Sequence, residues 1–557
     1  MRLRVACCLF LLGVAGSASC GSESSPPTNG GASGGSDANA GAGGTNVAPG
    51  HGGMSGGGTD SGAREGGAGA GGASSAVDQA GAGGADATGN QGGGGGSADQ
   101  AGAGGMDSTP NQAGAGGAAG AGSSECTPPC VNQACIDGGC VGTCAPGGQR
   151  CSNDGVQVCL PSGNWGAASA CPDGACLDGA CTCPAAVLGQ TLGHQKLLLG
   201  GRMENATFTS AQFDLRYVFI VGDGPATPCT KCDASCGAAL ASWWGCWGNS
   251  AAGGPGQYVT DHITATRAHG AIPMLTYYRW YSVAGKVENA AAVTALNNVA
   301  KTSAFFKDFQ FFMHTVGQAG PQPVLVHLEP DLWGFVEQVN HDPTLIPAKV
   351  STAGIPSCAA LPDTAAGYAK CLLAIGRAEA PNAILGFHAS AWGDGVDVLA
   401  NTNSQYDVAA HADRTATFLR ALGAAEADMV VVEMSNHDAG QDNSYWDATD
   451  VTLPSFAQAT TWAGRLGQQL GLPPLWWQVP YGNMALSNAT CGQYRDNRVA
   501  YVFDHPERFA AIGSIGVAFG AALACSTTDT TDGGYFLTRA QAYFSSASRP
   551  CLCGACP

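Results

Sequence analysis

From about residue 188 onward, short apolar runs alternate with amphipathic segments. The strand-like runs cover residues 217–221, 272–278, 324–328, 384–388, 429–434, 475–479 and 514–519. Helical patterns occupy the intervals 258–269, 290–315, 364–378, 409–422, 455–470 and 496–511. Such alternation implies parallel strands joined by right-handed crossovers. Seven or eight repeats between residues 188 and 557 predict an α/β fold. A closed (β/α) barrel is favoured rather than an open doubly wound sheet.

The first strand is not followed by G-x-G-x-x-G, and the chain has no Walker loop, which removes a nucleotide-binding interpretation. No G-x-S-x-G elbow follows a strand, so a serine hydrolase is disfavoured. His327, His388 and His437 stand near acids, but no H-E-x-x-H or comparable spacing occurs. We therefore expect neither a metal nor an organic cofactor.

The N-terminus has the pattern of an export signal. Charged residues precede an apolar run that is too short to span a bilayer, and small residues lead to Cys20. Residues 1–20 resemble a bacterial lipoprotein signal, with Ser17 at the position where Leu is usual. We expect a lipid anchor on Cys20 in the outer membrane or at the cell surface, with simple secretion as the alternative.

Residues 21–125 are rich in Gly, Ala and Ser and repeat the motif D-Q-A-G-A-G-G. The segment has too few large apolar groups for their burial to offset the loss of chain entropy on folding. We therefore predict a disordered tether. The whole chain has a net charge of −18 (24 Lys and Arg against 42 Asp and Glu) without basic blocks. This charge argues against nucleic acid as a partner. We expect a monomer.

Residues 126–184 contain eleven of the 25 cysteines and little aliphatic material. Disulfides must then supply the stability that burial cannot, although zinc ligation is the competing interpretation. The spacing resembles that of small Cys-rich modules in secreted deltaproteobacterial proteins. Eleven further cysteines lie downstream, and two odd counts predict one disulfide that joins the two regions.

The ends of the predicted strands carry acids, amides and aromatic groups, which a closed barrel would bring to one mouth. Glycoside cleavage needs two carboxyl groups, and Glu329 and Glu433 form the leading pair, with Asp331 as the substitute for either. The alternative for either glutamate is a buried structural acid, which in the case of Glu329 pairs with Arg279 or caps a helix. The predicted substrate-binding residues are Asp223, Tyr278, Arg279, Trp280, Trp333, His388, Trp392, Asn436, Asp438, Trp477, Gln478, Tyr481, Asn483 and Asp532.

The segment V-H-L-E-P-D ending at Asp331 resembles the third-strand E-P-D segment of glycoside hydrolase family 6, the cellulases with a distorted seven-stranded barrel. A helix with Cys358 and Cys371 and a strand ending in A-S-A-W-G at residue 393 extend the resemblance. The resemblance implies that Asp331 is an active-site aspartate, that Asp223 matches the first-strand one, and that Asp532 matches the base. The loop that holds the family's proton donor has no acid here.

Together these patterns predict an exported, surface-tethered glycoside hydrolase that cleaves a polysaccharide at the C-terminal rim of a β/α barrel. The alternative is a non-catalytic carbohydrate-binding or adhesive surface lipoprotein.

Overall fold

The protein is described by a computed structural model. The described residues are 126, 129–131, 133–137, 139–152, 155–171, 175–177, 179–237, 239–248, 254–434, 437–441, 444–521 and 525–554. The predictions for residues 1–125, including the lipid on Cys20, lie outside these ranges, as does Asn436.

The N-terminal part of the described chain is a series of small antiparallel sheets stapled by disulfides. Its strands are β1 Ala134–Ile136, β2 Gly139–Val141, β3 Gln149–Ser152, β4 Gly155–Val158, β5 Ser169–Ala170, β6 Ala175–Leu177 and β7 Ala180–Thr182. Disulfides in this region include Cys126–Cys135, Cys130–Cys140, Cys144–Cys159 and Cys171–Cys181. The predicted disulfide-rich region is confirmed.

Eight parallel strands close into a barrel in chain order. They are β8 Leu198–Gly201, β9 Leu215–Ile220, β10 Ile272–Tyr277, β11 Val324–Leu328, β12 Ala383–Ala389, β13 Met429–Glu433, β14 Pro474–Val479 and β15 Gly516–Phe519. Strand β15 pairs with β8 and completes the circle. The predicted fold class is confirmed, and the barrel has eight strands, whereas the family 6 resemblance implied seven.

Helices connect the strands and surround the barrel. They are α1 Pro184–Leu192, α2 Asn205–Thr209, α3 Ala239–Ser242, α4 Gln257–Ala268, α5 Trp280–Ala284, α6 Ala290–Thr294, α7 Val299–Gln318, α8 Leu332–Val339, α9 Ala365–Glu379, α10 Val408–Leu422, α11 Phe456–Leu470, α12 Arg498–Asp504, α13 Pro506–Ala511 and α14 Tyr535–Ser545. The four longest, α7, α9, α10 and α11, start at side-chain caps, for example a capping box at Ser455 before α11. Within the described ranges, none of these helices has the length and apolar character needed to cross a membrane.

Helix α1 links the disulfide-rich region to the barrel. Its buried Leu188 and Leu192 belong to the same apolar cluster as the inward-facing side chains of the barrel strands. Leu552, near the C-terminus, joins that cluster, and Cys183 just before α1 is bonded to Cys553. The predicted disulfide between the two cysteine-bearing regions is confirmed, and it holds this apolar contact together.

Strand β8 escaped the sequence analysis because half of it is glycine. A Cβ on Gly200 would lie 1.8 Å from the carbonyl oxygen of Leu215, and one on Gly201 would lie 2.1 Å from that of Phe519. Glycine is therefore required where β8 approaches both of its neighbours. Two predicted helices are each divided into two. Asn298 caps α7 after α6 has ended, and Pro506 begins α13 after α12 has ended.

Candidate active site

Asp331 and Glu433 lie at the C-terminal mouth of the barrel. Asp331 comes three residues after the end of β11, and Glu433 is the last residue of β13. Strand β12 lies between them, and its pairing brings the residues after β11 level with the end of β13. Both residues are of intermediate exposure, in contrast to the fully buried positions around them. The barrel therefore presents two acids on one side of one mouth.

Asp331 is crowded by a second acid and a tyrosine. Burial raises the pKa of Asp331 to about 7, and the charge of Glu288 contributes, whereas a hydrogen bond from Tyr278 lowers it. The same hydroxyl donates to Glu288, so the two acids share its single proton, and the ring of Tyr278 stacks on Tyr281 with centroids 6.0 Å apart. A carboxyl group with this pKa exchanges its proton near neutral pH, which suits acid–base chemistry.

Glu433 has a separate set of neighbours. Burial raises the pKa of Glu433 to about 8, with further contributions from the charges of Asp331 and Asp397, while a hydrogen bond from Trp392 lowers it. The indole of Trp392 is half-buried and packs on Phe335 at 4.9 Å. Glu433 is thus protonated at neutral pH, and the two acids influence each other electrostatically.

Glu329 is placed differently from the leading prediction. Its side chain is fully buried, and Oε1 accepts hydrogen bonds from the backbone N–H groups of Arg279 at 2.7 Å and Trp280 at 2.8 Å. Burial raises the pKa of Glu329 to about 8 despite these bonds, and Asp331 adds only the smallest of the contributions. With no exposed surface, Glu329 holds the turn between β10 and α5 and does not reach a substrate. The alternative interpretation of Glu329 applies, and Asp331 takes its place in the pair.

Arg279 is equally remote from substrate. Its guanidinium is 1% exposed and donates from Nε to Asp308 at 3.1 Å. Asp308, on α7, also accepts from the hydroxyl of Tyr277 and from the indole N–H groups of Trp243 and Trp244. The predicted substrate contact of Arg279 is wrong, because this buried network between the barrel and α7 occupies the side chain.

Trp280 and Trp333, two of the predicted substrate-binding tryptophans, lie in the core outside the barrel strands. Trp280 donates to the carbonyl of Ala292 and Trp333 to that of Leu328, and both are 1% exposed or less. The prediction of substrate binding is wrong for these two, because each indole is enclosed between the barrel and the outer helices.

Trp477 and the buried histidines fill the barrel below the acids. Trp477 is the register partner of Glu433 and is 2% exposed. Its ring lies 4.7 Å from that of His327 and 5.8 Å from that of His388. The histidines contact each other, Nε2 to Nδ1, at 3.2 Å, and burial lowers the pKa of His388 to about 3. Neutral His388 is therefore part of the floor.

The remaining predicted residues after β13, β14 and β15 tie loops together. Asp438 is buried and accepts from the backbone N–H groups of Thr527 at 2.7 Å and Gly482 at 3.2 Å. Tyr481 donates to the backbone carbonyl of Phe519 at 3.2 Å. These contacts leave Asp438 and Tyr481 without a surface for substrate, so both substrate-binding predictions are wrong.

Asn483, Asp532 and Gln478 are also enclosed. Asn483 donates to the backbone carbonyl of Asp532, and the carboxylate of Asp532 accepts from Phe536 N at 2.6 Å at the start of α14. Gln478 is 2% exposed at a positive φ of 54°. Asp532 therefore has a helix-capping role in place of the base implied by the resemblance, and all three predicted substrate contacts are wrong.

Asp223 keeps the surface that its prediction requires. Asp223 follows β9, its side chain is 48% exposed, and it forms an ion pair with Lys286 at 2.9 Å. Glu288, Asp397 and Tyr281 were missed, although they surround Asp331 and Glu433. They lie in loops well beyond strand ends or inside a short helix, where no periodic pattern marks them.

Among the described residues, two groups have the composition of a metal site. Cys126, Cys130 and Cys140 are bonded in disulfides and so are not ligands. The other group, Glu337, His341 and Asp394, is distinct from Asp331 and Glu433.

No protein-family model matches the chain, and neither does any curated protein. Solved structures with some likeness are glycoside hydrolases. A modular endo-β-1,4-mannanase from Cellulomonas fimi has 11% identity and a TM-score of 0.39, over 65% of this chain and 74% of the mannanase. A fungal β-1,4-galactanase has 11% identity and a TM-score of 0.34, over 64% and 97%. An endoglucanase from Humicola insolens has 14% identity and a TM-score of 0.24, over 40% and 59%. These structures come from several glycoside hydrolase families, and at these scores the likeness carries no argument about activity.

Proposed function

We propose that this protein is a glycoside hydrolase that cleaves a polysaccharide with Glu433 and Asp331. The observation that carries the proposal is the pair itself: two carboxyl groups at one barrel mouth, on residues of intermediate exposure, with pKa values raised to about 8 and about 7. Strands separated by one neighbour lie about 10 Å apart. Glycosidases hold their two carboxyl groups about 5 to about 9.5 Å apart, so side chains that lean inward across this gap would meet that requirement.

The two acids have different parts in the reaction. Glu433 keeps its proton at neutral pH and donates it to the glycosidic oxygen as the bond to the anomeric carbon breaks. Asp331 loses its proton more readily and acts as the carboxylate, either on a water molecule or on the anomeric carbon directly. The anomer of the first product, read by NMR, distinguishes these two routes.

Aromatic groups beside both acids support a sugar substrate. Trp392 contacts Glu433, and Tyr281, which is half-buried, stacks on the buried Tyr278 beside Asp331. Aromatic faces pack on the apolar faces of sugar rings, while the surrounding acids bond hydroxyl groups. Exposed Asp223 extends this polar rim.

Export and a lipid anchor on Cys20 are part of the proposal. The N-terminal pattern of charged, apolar and small residues supports them. An enzyme held at the surface by residues 21–125 would act on polymers outside the cell. Metabolic labelling with a fatty-acid analogue tests the anchor, which predicts incorporation into the wild-type chain and none into C20A.

The test of activity is release of reducing ends from a panel of β-mannan, β-galactan, xylan and β-glucan. We expect activity on one class, with E433Q and D331N reduced by about 10²- to 10⁴-fold while glycan binding is retained. Glu507→Gln is the matched control, because Glu507 is exposed in α13. If the wild type binds a polymer but releases reducing ends from none of the panel, the protein is instead a carbohydrate-binding protein.

A further inference from the structure

We propose that Glu337, His341 and Asp394 form a binding site for a divalent transition-metal ion of the Zn²⁺ type. Glu337 lies in α8, His341 follows this helix, and Asp394 lies in the loop after β12. One ligand atom from each lies within 4.8 Å of the other two. We call these three residues the α8 triad. The site is independent of the proposed glycosidase activity.

Glu337 provides an observation that the proximity of the triad alone does not. Glu337 is 2% exposed, and Oε1 has no partner in hydrogen-bonding geometry among the described residues, although the Thr415 side chain interacts with the carboxyl group. A buried carboxylate oxygen without a partner is costly unless a cation or a donor meets it. The backbone at Gly393 leaves room for this carboxyl group, since a Cβ on Gly393 would lie 2.4 Å from Oε2 of Glu337. Only glycine allows this carboxylate to lie against the backbone beside Asp394.

Asp394 is oriented for ligation by contacts on its far side. Its Oδ2 accepts from Nε and Nη2 of Arg414 at 2.8 and 2.6 Å. Its Oδ1 instead faces Nδ1 of His341 at 3.7 Å. Arg414 thus fixes the carboxylate as an outer partner would in a metal site and leaves Oδ1 toward the triad.

The donor set selects the class of ion. An imidazole nitrogen with two carboxylate oxygens suits Zn²⁺ and related transition metals, whereas Ca²⁺ and Mg²⁺ prefer oxygen-only sites. Three protein ligands leave a fourth tetrahedral position for water. His341 is 65% exposed on its side chain, so the ion can enter from solvent. The bound ion would fasten α8 to the loop that carries Trp392.

The test is Zn²⁺ uptake by the full-length protein after removal of metal with a chelator. Calorimetric titration and metal analysis should give one Zn²⁺ per chain, with a higher Tm when Zn²⁺ is present. H341A and E337Q should each weaken Zn²⁺ binding by about 10-fold or more and lose the shift in Tm.

H314A is the matched control, because His314 is also exposed and faces one carboxylate, Glu379, at 3.1 Å. It should bind Zn²⁺ as the wild type does. His341 is exposed, so H341A remains informative if E337Q does not fold. Absence of stoichiometric Zn²⁺ binding, equal binding by H341A and H314A, or binding of Ca²⁺ in preference to Zn²⁺ would each overturn the proposal.

Discussion

Glu433 and Trp477 are direct partners in the parallel register of β13 and β14. The acid therefore stands beside an indole that is almost fully buried among aromatic rings of the barrel interior. A filled barrel keeps bulk water from the lower side of Glu433, and this burial is the main reason that its pKa is raised to about 8. The position of a carboxyl group that keeps its proton at neutral pH thus follows from how the barrel is packed beneath it.

The pH dependence of activity should follow the two raised pKa values. Activity requires Asp331 deprotonated and Glu433 protonated, so it should fall below about pH 7 and above about pH 8. We expect kcat/KM to be highest between these limits, because this ratio reports the groups of the free enzyme. The measurement is kcat/KM from pH 5 to pH 10 on the polymer that the enzyme cleaves.

An aryl glycoside with a good leaving group separates the two roles, since its departure needs no proton. E433Q should keep much of its activity on that compound and lose the alkaline limb of the profile. D331N should be impaired on both compounds. Retention of the alkaline limb by E433Q would assign the proton donor to another residue.

Glu329 should affect stability rather than reaction chemistry. Its folded-state pKa is raised to about 8 from 4.5, so the folded protein holds a proton that the unfolded chain releases. The stability that this group contributes is complete below about pH 4.5 and is lost as pH rises through about 8. The free energy of unfolding of E329Q should therefore fall less between pH 5 and pH 8 than that of the wild type, as measured by denaturant titration.

Exposed Glu426 is the control, and E426Q should have the wild-type slope. E329A should lose about 1–3 kcal/mol at either pH, because the N–H groups of Arg279 and Trp280 lose their acceptor. A steeper slope for E329Q than for the wild type would contradict this assignment.

The fold was predictable because its signal is periodic. Apolar runs separated by helical patterns marked all barrel strands except β8, whose glycines hide it. The site was predictable only in part, because a position after a strand does not say which way a side chain points. Glu329 and Asp331 are two residues apart in an apparently extended segment, yet Glu329 adopts a positive φ of 47°. That turn sends Glu329 into the protein and leaves Asp331 at the mouth, which alternation of side chains could not reveal.

Trp392 should contribute to substrate binding without being needed for folding. Its ring is half-buried at the mouth, whereas Trp333 is fully buried. We expect W392A to raise KM or weaken glycan affinity by about 10-fold, corresponding to about 1–3 kcal/mol from one aromatic contact. Its thermal unfolding should remain close to that of the wild type.

The comparison variant W333A removes a core indole and should lose about 3–5 kcal/mol of stability. Calorimetry of binding and denaturant unfolding on both variants make the test. Equal glycan affinity of W392A and the wild type would remove Trp392 from the substrate site.

The disulfide between Cys183 and Cys553 should be worth more to stability than the short ones on the surface. It joins residues 370 apart in sequence, and it closes the contact of α1 and Leu552 with the barrel interior. A cross-link over a long loop removes more entropy from the unfolded chain than one over a short loop. We expect the double substitution of Cys183 and Cys553 by Ser to lower the free energy of unfolding by about 2–4 kcal/mol.

The matched pair is Cys229 and Cys236, which are only 7 residues apart. Replacing both by Ser should cost less, because the loop that they close is short and other bonds already restrain the chain. Denaturant unfolding without reductant compares the two double variants.

Helix α1 precedes β8 and lies toward the N-terminal ends of the strands, whereas the mouth of the barrel is at their C-terminal ends. The kcat/KM of the Cys183 and Cys553 variant should therefore be unchanged. An equal loss of stability in both variants would show that loop length does not govern these bonds.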